Sequence, residues 1–436
     1  MNSIIAVFVV SVIYVFSGWY LTYLSPKLII LERLGLAFLL GSGLSTFIWF
    51  LGSLIGLHLN IFTIIISGAI LGGFGLFISK LLKLGLNSQS IEKHSKTDRY
   101  LAIAVITSLI TSFVIASYNP LTAWDSIALY DFRGHAIAID HDLSFSSAGA
   151  YFMSYPLMIS LVHAAIYLFG GVSAQGIHAV MFASMISIIF GRLRSWTNVK
   201  YALLACLLII FQNEIFTHST ISYTNLPYTA FLISGFLYAV SKGKYLLILS
   251  GLLLAISGWV RSSEVFWIVG IILIFWQGIR NKKIIYPILS IIIILIMRLT
   301  WTRYMNYIYS TFGHITESTV SHFTFDSVNK IIANWQPIYW YIYLNIISPY
   351  LGIWALTIPL IIITYLKRNI RLFMLLSSIL ISAAMVVVGV MIFSTYYTSW
   401  NEIGDSARRM VLFIIPLSLI TAVYALFLLS DKSNEK

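Results

Sequence analysis

Long apolar runs alternate with short polar stretches along the whole chain. Thirteen runs stand out, near 3–24, 34–57, 60–82, 100–118, 174–191, 200–213, 224–241, 245–260, 264–279, 284–298, 345–366, 372–394 and 410–430. A helix needs ~20 apolar residues to cross a bilayer. The pattern therefore predicts an all-α polytopic membrane protein with about thirteen transmembrane helices. A fourteenth stretch, 155–170, is shorter and carries Pro156, His163 and Tyr167. It reads as an interfacial helix that does not span.

Composition sharpens the class. The chain has 436 residues, 59% of them hydrophobic and only 10% charged, where soluble domains carry about 25% charged residues. Its mean hydropathy is +0.91. The 26 Tyr and 12 Trp suit a chain with many membrane interfaces. The single cysteine, Cys206, lies within an apolar run, which excludes an intrachain disulfide. The net charge of +12 does not require a nucleic acid. With 155–170 left unspanning, twenty of the 27 basic residues fall on one side of the membrane and seven on the other, while ten of the 15 acids take the second side. The positive-inside rule then predicts an N-terminus outside and a C-terminus inside. No basic n-region precedes the first apolar run, so it reads as a retained anchor. The inside loop 83–99 is the clearest polar linker. It predicts an N-terminal three-helix module over 1–99 and a larger transmembrane domain over 100–436. The cytoplasmic loops carry no GxxxxGK[ST] motif, which argues against ATP-driven work. Short tails without retrieval signals fit the cytoplasmic membrane of a prokaryote.

Candidate chemistry falls on the outer side, in loops 119–173, 299–344 and 395–409. Asn119-Pro120 ends the fourth span. Trp124 suits the interface, and Asp125 follows at once. Asp125 can cap an amphipathic helix starting at Ser126. Near an apolar surface it can also serve as a general base. Residue spacing alone favours the cap. Asp131 and His135 stand i,i+4 on the same helix and read as a surface ion pair. His141 between Asp140 and Asp142 allows a metal cluster, but no ligand set of fixed spacing accompanies it and a solvated turn explains it better. Gly68-x-x-x-Gly72 and the Gly41/Gly43 pair mark helix packing.

Trp124-Asp125-Ser126, a following amphipathic helix and Tyr155-Pro156-Leu157 together resemble the GT-C superfamily of polyprenyl-phosphate-sugar-dependent glycosyltransferases. The likeness is to the protein mannosyltransferase-like and aminoarabinose-transferase-like branch. There an acidic residue in the first large outer loop is the catalytic carboxylate, and a Tyr/His-Pro-Pro-Leu segment opens a juxtamembrane helix. Asp125 matches the first, and Tyr155-Pro156-Leu157 matches the second with one proline missing. Tyr223-Thr224-Asn225-Leu226-Pro227 is similar to the family's Gly-Tyr-Ala-Asp-Leu-Pro segment, with Asn225 where an Asp is common. Trp259 to Glu264 resembles a short outer turn bearing a basic residue and a Glu. Asp405-Ser406-Ala407-Arg408-Arg409 resembles the last-loop Arg segment. The resemblance spans roughly 100–430, and the first three spans have no counterpart in it.

The resemblance implies Asp125 as catalytic base, with Trp124, Tyr155 and Asn225 lining the substrate. Asp131, His135 and Glu264 would support the site. Arg261, Arg408 and Arg409 flank spans at the outer headgroup level, where a lipid-linked phosphate sits. Arginine grips phosphate through paired, charge-assisted bonds; lipid-headgroup binding or snorkelling is the alternative, but arginine at an outer membrane end runs against the positive-inside trend and favours a specific partner. Glu264 can hold Arg261 at i,i+3. The implied partners are a polyprenyl-phosphate sugar donor, a glycan, lipid or protein acceptor, and membrane lipids. No cofactor is required, and a divalent cation is left open. An O-antigen ligase or polymerase and a transporter or flippase are the alternatives. A transporter would carry ionisable residues mid-span, and the spans here are nearly free of them.

Overall fold

The computed structural model describes residues 3–25, 27–84, 95–143, 155–262, 264–312, 325–396, 400–402 and 404–430. Among them every regular element is helical. The chain divides into two compact units, Met1–His314 and Ile315–Lys436.

The first unit contains α1 (Ser3–Trp19), α2 (Ile30–Leu54), α3 (Ile61–Leu81) and α4 (Lys96–Tyr118). The outer loop follows, with a π-helical turn (Ser126–Asp131), α5 (Phe132–Asp140) and α6 (Met158–Leu168). Then come α7 (Gly176–Trp196), α8 (Val199–Ile210), α9 (Asn213–Ser219), α10 (Asn225–Ala239), α11 (Lys244–Val260), α12 (Glu264–Arg280) and α13 (Ile285–Phe312). The second unit holds α14 (Phe325–Ala333), α15 (Trp335–Ile342), α16 (Leu351–Lys367), α17 (Ile370–Tyr396), α18 (Gly404–Met410) and α19 (Ile414–Ser430).

Each predicted apolar run is helical. Among the described residues eight helices are long and apolar enough to cross a membrane, or nine if the bent pair α8–α9 counts as one span, and α11, the Phe266–Arg280 part of α12 and α19 are shorter apolar helices. The protein is therefore built as a multi-pass membrane protein. Large apolar side chains such as Phe62, Ile66, Ile70, Phe74 and Phe77 stand exposed along α3. Water would penalise that stripe, and a hydrocarbon surround accepts it.

Helix α6 has 11 residues. At 1.5 Å per residue that is about 16 Å, too short to cross alone. The interfacial reading of 155–170 expects one solvated face. Instead Met158 to Ile166 are buried all round, because α6 lies against α1, α2, α5 and α11.

Two ends of the first unit are stapled by polar contacts. At one end Ser3 Oγ accepts from the backbone N–H groups of Val172 and Ser173, both at 3.1 Å. His141 ends α5 with φ +60° and joins the α2–α3 loop, its Nδ1 lying 2.9 Å from Leu59 O. His141 is thus a helix terminus tied to a neighbouring loop. At the other end Arg192 donates to Glu32 through Nε and, at 3.0 Å, through Nη2. Tyr238 donates to the same carboxylate at 2.8 Å. Gly191 makes room for it, since a Cβ there would lie 2.6 Å from Glu32 Cβ.

Candidate functional site

The segment after the fourth span is helical from Trp124 to Asp140, with the π-helical turn in its middle. This corrects the expectation that the helix starts at Ser126 under an Asp125 cap. Asp125 has helical torsions, φ −62° and ψ −29°, and makes no capping hydrogen bond. A capping residue needs extended torsions so that its side chain can fold back on the first turn. Trp124 beside it is 73% exposed. π-Helical turns recur at functional sites because they re-aim side chains. Here the turn presents Tyr130 and Asp131 as neighbouring buried residues.

Tyr130 is the centre of one cluster. Its hydroxyl lies 2.9 Å from Thr224 Oγ1, the residue before Asn225 at the start of α10. Its ring meets Tyr155 edge-on at 6.3 Å. Arg261 and Asp125 both lie within electrostatic reach of that hydroxyl. Burial pushes the phenol up to about 12, against the Arg261 charge and the Thr224 bond, which pull it down. Arg133 is fully buried and donates from Nη2 to Tyr155 O at 2.8 Å, which pins the Tyr155-Pro156-Leu157 segment. Burial lowers that guanidinium to about 10, opposed by Tyr130 and Tyr304.

Behind Arg261 stands an aromatic wall. Trp259 packs against Phe50 at 5.0 Å and Trp301 at 5.6 Å, and its indole N–H donates to Thr46 at 3.2 Å. Arg298 donates to Ser262 at 3.3 Å. A second guanidinium thus reaches the turn that carries Arg261. Sequence reading counted Arg298 only as a basic residue of the outer side, because it closes an apolar run and belongs to none of the quoted motifs.

Asp131 is the centre of the second cluster. Its relative exposure is 8%, so the surface ion pair expected with His135 is a buried one on the acidic side. His135 Nδ1 lies 3.3 Å from Asp131 Oδ2, and His163 Nδ1 lies 3.5 Å from Oδ1. The Tyr167 hydroxyl donates to Oδ1. His163 Nε2 is 3.2 Å from His178 Nε2. Burial pushes the Asp131 carboxyl up, but His163, Tyr167 and His135 outweigh it and hold it below the usual carboxylate range. The same burial and the adjacent carboxylate push the Tyr167 phenol far up. Gly134 permits the approach of α5 to α6, since a Cβ there would sit 2.6 Å from His163 Cβ. His163 and Tyr167 were read only as polar marks of an interfacial stretch, and His178 was not singled out, because each sits in or beside an apolar run with its partners elsewhere in the chain.

The structure thus brings Thr224, the residue before Asn225, and Tyr155 against Tyr130, which neighbours the Asp131–His135 pair, while Asp125 and Arg261 act on the Tyr130 hydroxyl through their charges. Asn225 is buried at 4% exposure. Glu264 begins α12, and its side chain lies outside the described residues. Arg408 and Arg409 lie on α18 of the second unit, both half-buried. Among the described residues no group of three or more His, Cys, Asp or Glu is arranged to hold a metal ion. An open depression of about 620 Å³ lies nearby, lined by Ser3, Ser117, Asn119, Pro120, Val172 and Ser173 among others; it includes none of the predicted site residues. No protein-family model, curated protein or solved structure matches the chain.

Proposed function

We propose that the chain is a GT-C-like membrane glycosyltransferase. It moves a sugar from a polyprenyl-phosphate donor to a lipid, glycan or protein acceptor at the outer face of a prokaryotic cytoplasmic membrane. The reading is supported by the Tyr130 cluster, where the hydroxyl bonds Thr224 beside Asn225, the ring meets Tyr155 edge-on, and the charges of Arg261 and Asp125 both act on the phenol. A carboxylate that does not cap its helix and a guanidinium from a distant turn supply a base and a phosphate partner.

In the reaction Asp125 takes the proton from the acceptor hydroxyl. The new O–C1 bond forms as the C1–O bond to phosphate breaks, with inversion at C1. The electron pair leaves with the polyprenyl phosphate, which Arg261 stabilises through charge-assisted bonds. Trp124, Tyr155 and Asn225 line the substrate, and a part for Arg408 and Arg409, which lie in the second unit, rests on the sequence resemblance alone. No step uses a metal.

The thirteen-crossing topology, N-terminus out and C-terminus in, belongs to the same proposal. In its support, Ser3, the α2–α3 loop at Leu59 and the His141 turn gather at one end of the first unit. Glu32 and Arg192, assigned to the inner side, meet near helix ends rather than mid-span. That placement disfavours a transporter, whose ionisable residues line a central path. The ligase or polymerase alternative leans on loop 299–344, of which 313–324 lie outside the described residues.

The test is Asp125→Asn in the full chain, reconstituted in nanodiscs with polyprenyl-phosphate sugars. Because Asp125 makes no cap bond, yield should stay at the wild-type level. Sugar transfer should fall by about 10²–10⁴-fold. Wild-type transfer at normal yield would remove Asp125 from the mechanism.

A further inference from the structure

We infer that two turns of the first unit, 240–244 and 280–285, form one cationic seat for an anionic phospholipid carrying two phosphates. The inference rests on the inner placement of these turns in the topology proposed above. It does not rest on sugar transfer, since none of its residues belongs to the candidate site.

The two turns are distant in sequence and adjacent in the fold. Gln277 Nε2, near the end of α12, donates to Ser241 O in the first turn at 3.4 Å. Ser290 Oγ on α13 donates to Leu247 O on α11 at 2.8 Å. The rings of Tyr245 and Tyr286 meet edge-on at 5.8 Å. Gly251 permits this approach, since a Cβ there would collide with Ser290. Helices α11 and α13 therefore start side by side, and the turn that leads into each carries its cations to the same place.

Those cations are Lys242, Lys244, Arg280, Lys282 and Lys283, all exposed. Lys244 Nζ lies over the Tyr245 ring, 4.6 Å from its centre. Lys282 has φ +54°, and the Lys283 N–H returns to Gly278 O at 2.9 Å, so the second turn is tight. Glycine would adopt that left-handed torsion at lower cost, yet a lysine stands there. Among the described residues none of the five forms an ion pair with a carboxylate. No Asp or Glu occurs at 215–263 or 265–316, and Glu264 begins α12, at the end opposite Arg280. Glu32, which meets Tyr238 on α10, is 1% exposed and already held by Arg192 and Tyr238. The positive-inside rule asks only that cations lie on this side of the membrane. It does not ask that two separate turns pool them without a counter-ion.

The surroundings select a lipid among anions. Trp276, Ile279, Ile284, Ile285 and Ile288 stand exposed directly beside the cations. A ligand that satisfies both surfaces carries phosphate at one end and alkyl chains at the other. A soluble anion would leave the aliphatic stripe uncovered. Lysine binds phosphate as a mobile point charge, and basic sites between membrane helices on the inner side take phospholipid headgroups. Five cations exceed what one phosphodiester neutralises, so two linked phosphates match them better.

The test is native mass spectrometry of the full chain in detergent micelles, titrated with cardiolipin or phosphatidylcholine. Micelles leave both faces accessible, so binding reads the seat whichever way the chain inserts, and cysteine labelling reads the orientation separately. Cardiolipin should bind at least about 10-fold more tightly than phosphatidylcholine, and its affinity should fall as ionic strength rises. Each lysine near anionic lipid strengthens binding about five-fold. The combined change Lys242→Gln/Lys244→Gln/Lys282→Gln/Lys283→Gln should therefore weaken cardiolipin binding by about 10²–10³-fold. Lys96→Gln/Arg99→Gln, at the start of α4 on the same side, should bind as the native chain does. Equal affinity of the native chain for the two lipids would overturn the inference even if the fourfold variant fails to fold. An unchanged affinity in a folded fourfold variant, or an equal loss in the α4 control, would overturn it too. Displacement of cardiolipin by an equal concentration of pyrophosphate or polyglutamate would assign the turns to a soluble anion or an acidic protein instead.

Discussion

Replacing Glu32 by glutamine should destabilise the first unit more than any comparable surface change. The carboxylate is 1% exposed and accepts two bonds from Arg192 and one from Tyr238. Arg192 is itself 6% exposed, and its guanidinium also lies over the Tyr238 ring at 5.1 Å. Removing one partner of such a pair leaves a buried charge uncompensated, at a cost of about 3–5 kcal/mol. Glutamine retains one carbonyl acceptor, so the lower end, about 3 kcal/mol, is expected. Arg192→Met should cost a similar amount, because Glu32 then stands unpaired. The double change Glu32→Leu/Arg192→Met removes both charges and should cost far less than the sum. The assay is thermal or denaturant unfolding of the purified protein in a fixed detergent, followed by intrinsic fluorescence and arranged as a double-mutant cycle. The reasoning predicts a coupling of about 3 kcal/mol between the two positions. Single changes that add to within about 0.5 kcal/mol would show that the contact contributes nothing beyond two independent side chains.

Three further outcomes follow from the same geometry. Arg261→Ala should raise the donor KM or cut turnover strongly, and Arg261→Lys should restore only part, since an ammonium cannot reproduce the planar fork; equal activity in all three proteins would remove Arg261 from phosphate binding. Cysteines introduced at Val172 and Ser95 should label from outside and inside respectively, and Cys206, fully buried, should not interfere; the reverse pattern would invert the proposed topology. Asp131 is held below the usual carboxylate range, so the stability it contributes is present above its unfolded value of about 3.9 and is lost as pH falls through the lowered native value. Acid unfolding curves of wild type and Asp131→Asn should therefore converge at low pH and separate above about 4, and parallel curves would contradict the sign.

The helical architecture was legible in the chain because backbone groups inside a bilayer must bond within their own segment. Apolar runs alone thus predict where helices form, and every one of the thirteen runs is helical. Contacts one helical turn apart were legible too, as Asp131 and His135 show at i,i+4. The capping role of Asp125 was misread because spacing cannot reveal that the helix already includes Trp124 and that Asp125 itself has helical torsions. Tertiary structure alone decided the rest. Glu32 meets Arg192 and Tyr238, which are 160 and 206 residues away. Tyr130 meets Thr224 across 94 residues. His163 and His178 look like polar interruptions of apolar runs until α6 and α7 bring their rings together. Hydrophobic patterning fixes which segments leave water but carries no information about which helix faces which. That choice is made by close-packed detail, such as the missing Cβ of Gly134 that lets α5 reach α6 and sets Asp131 between two histidines.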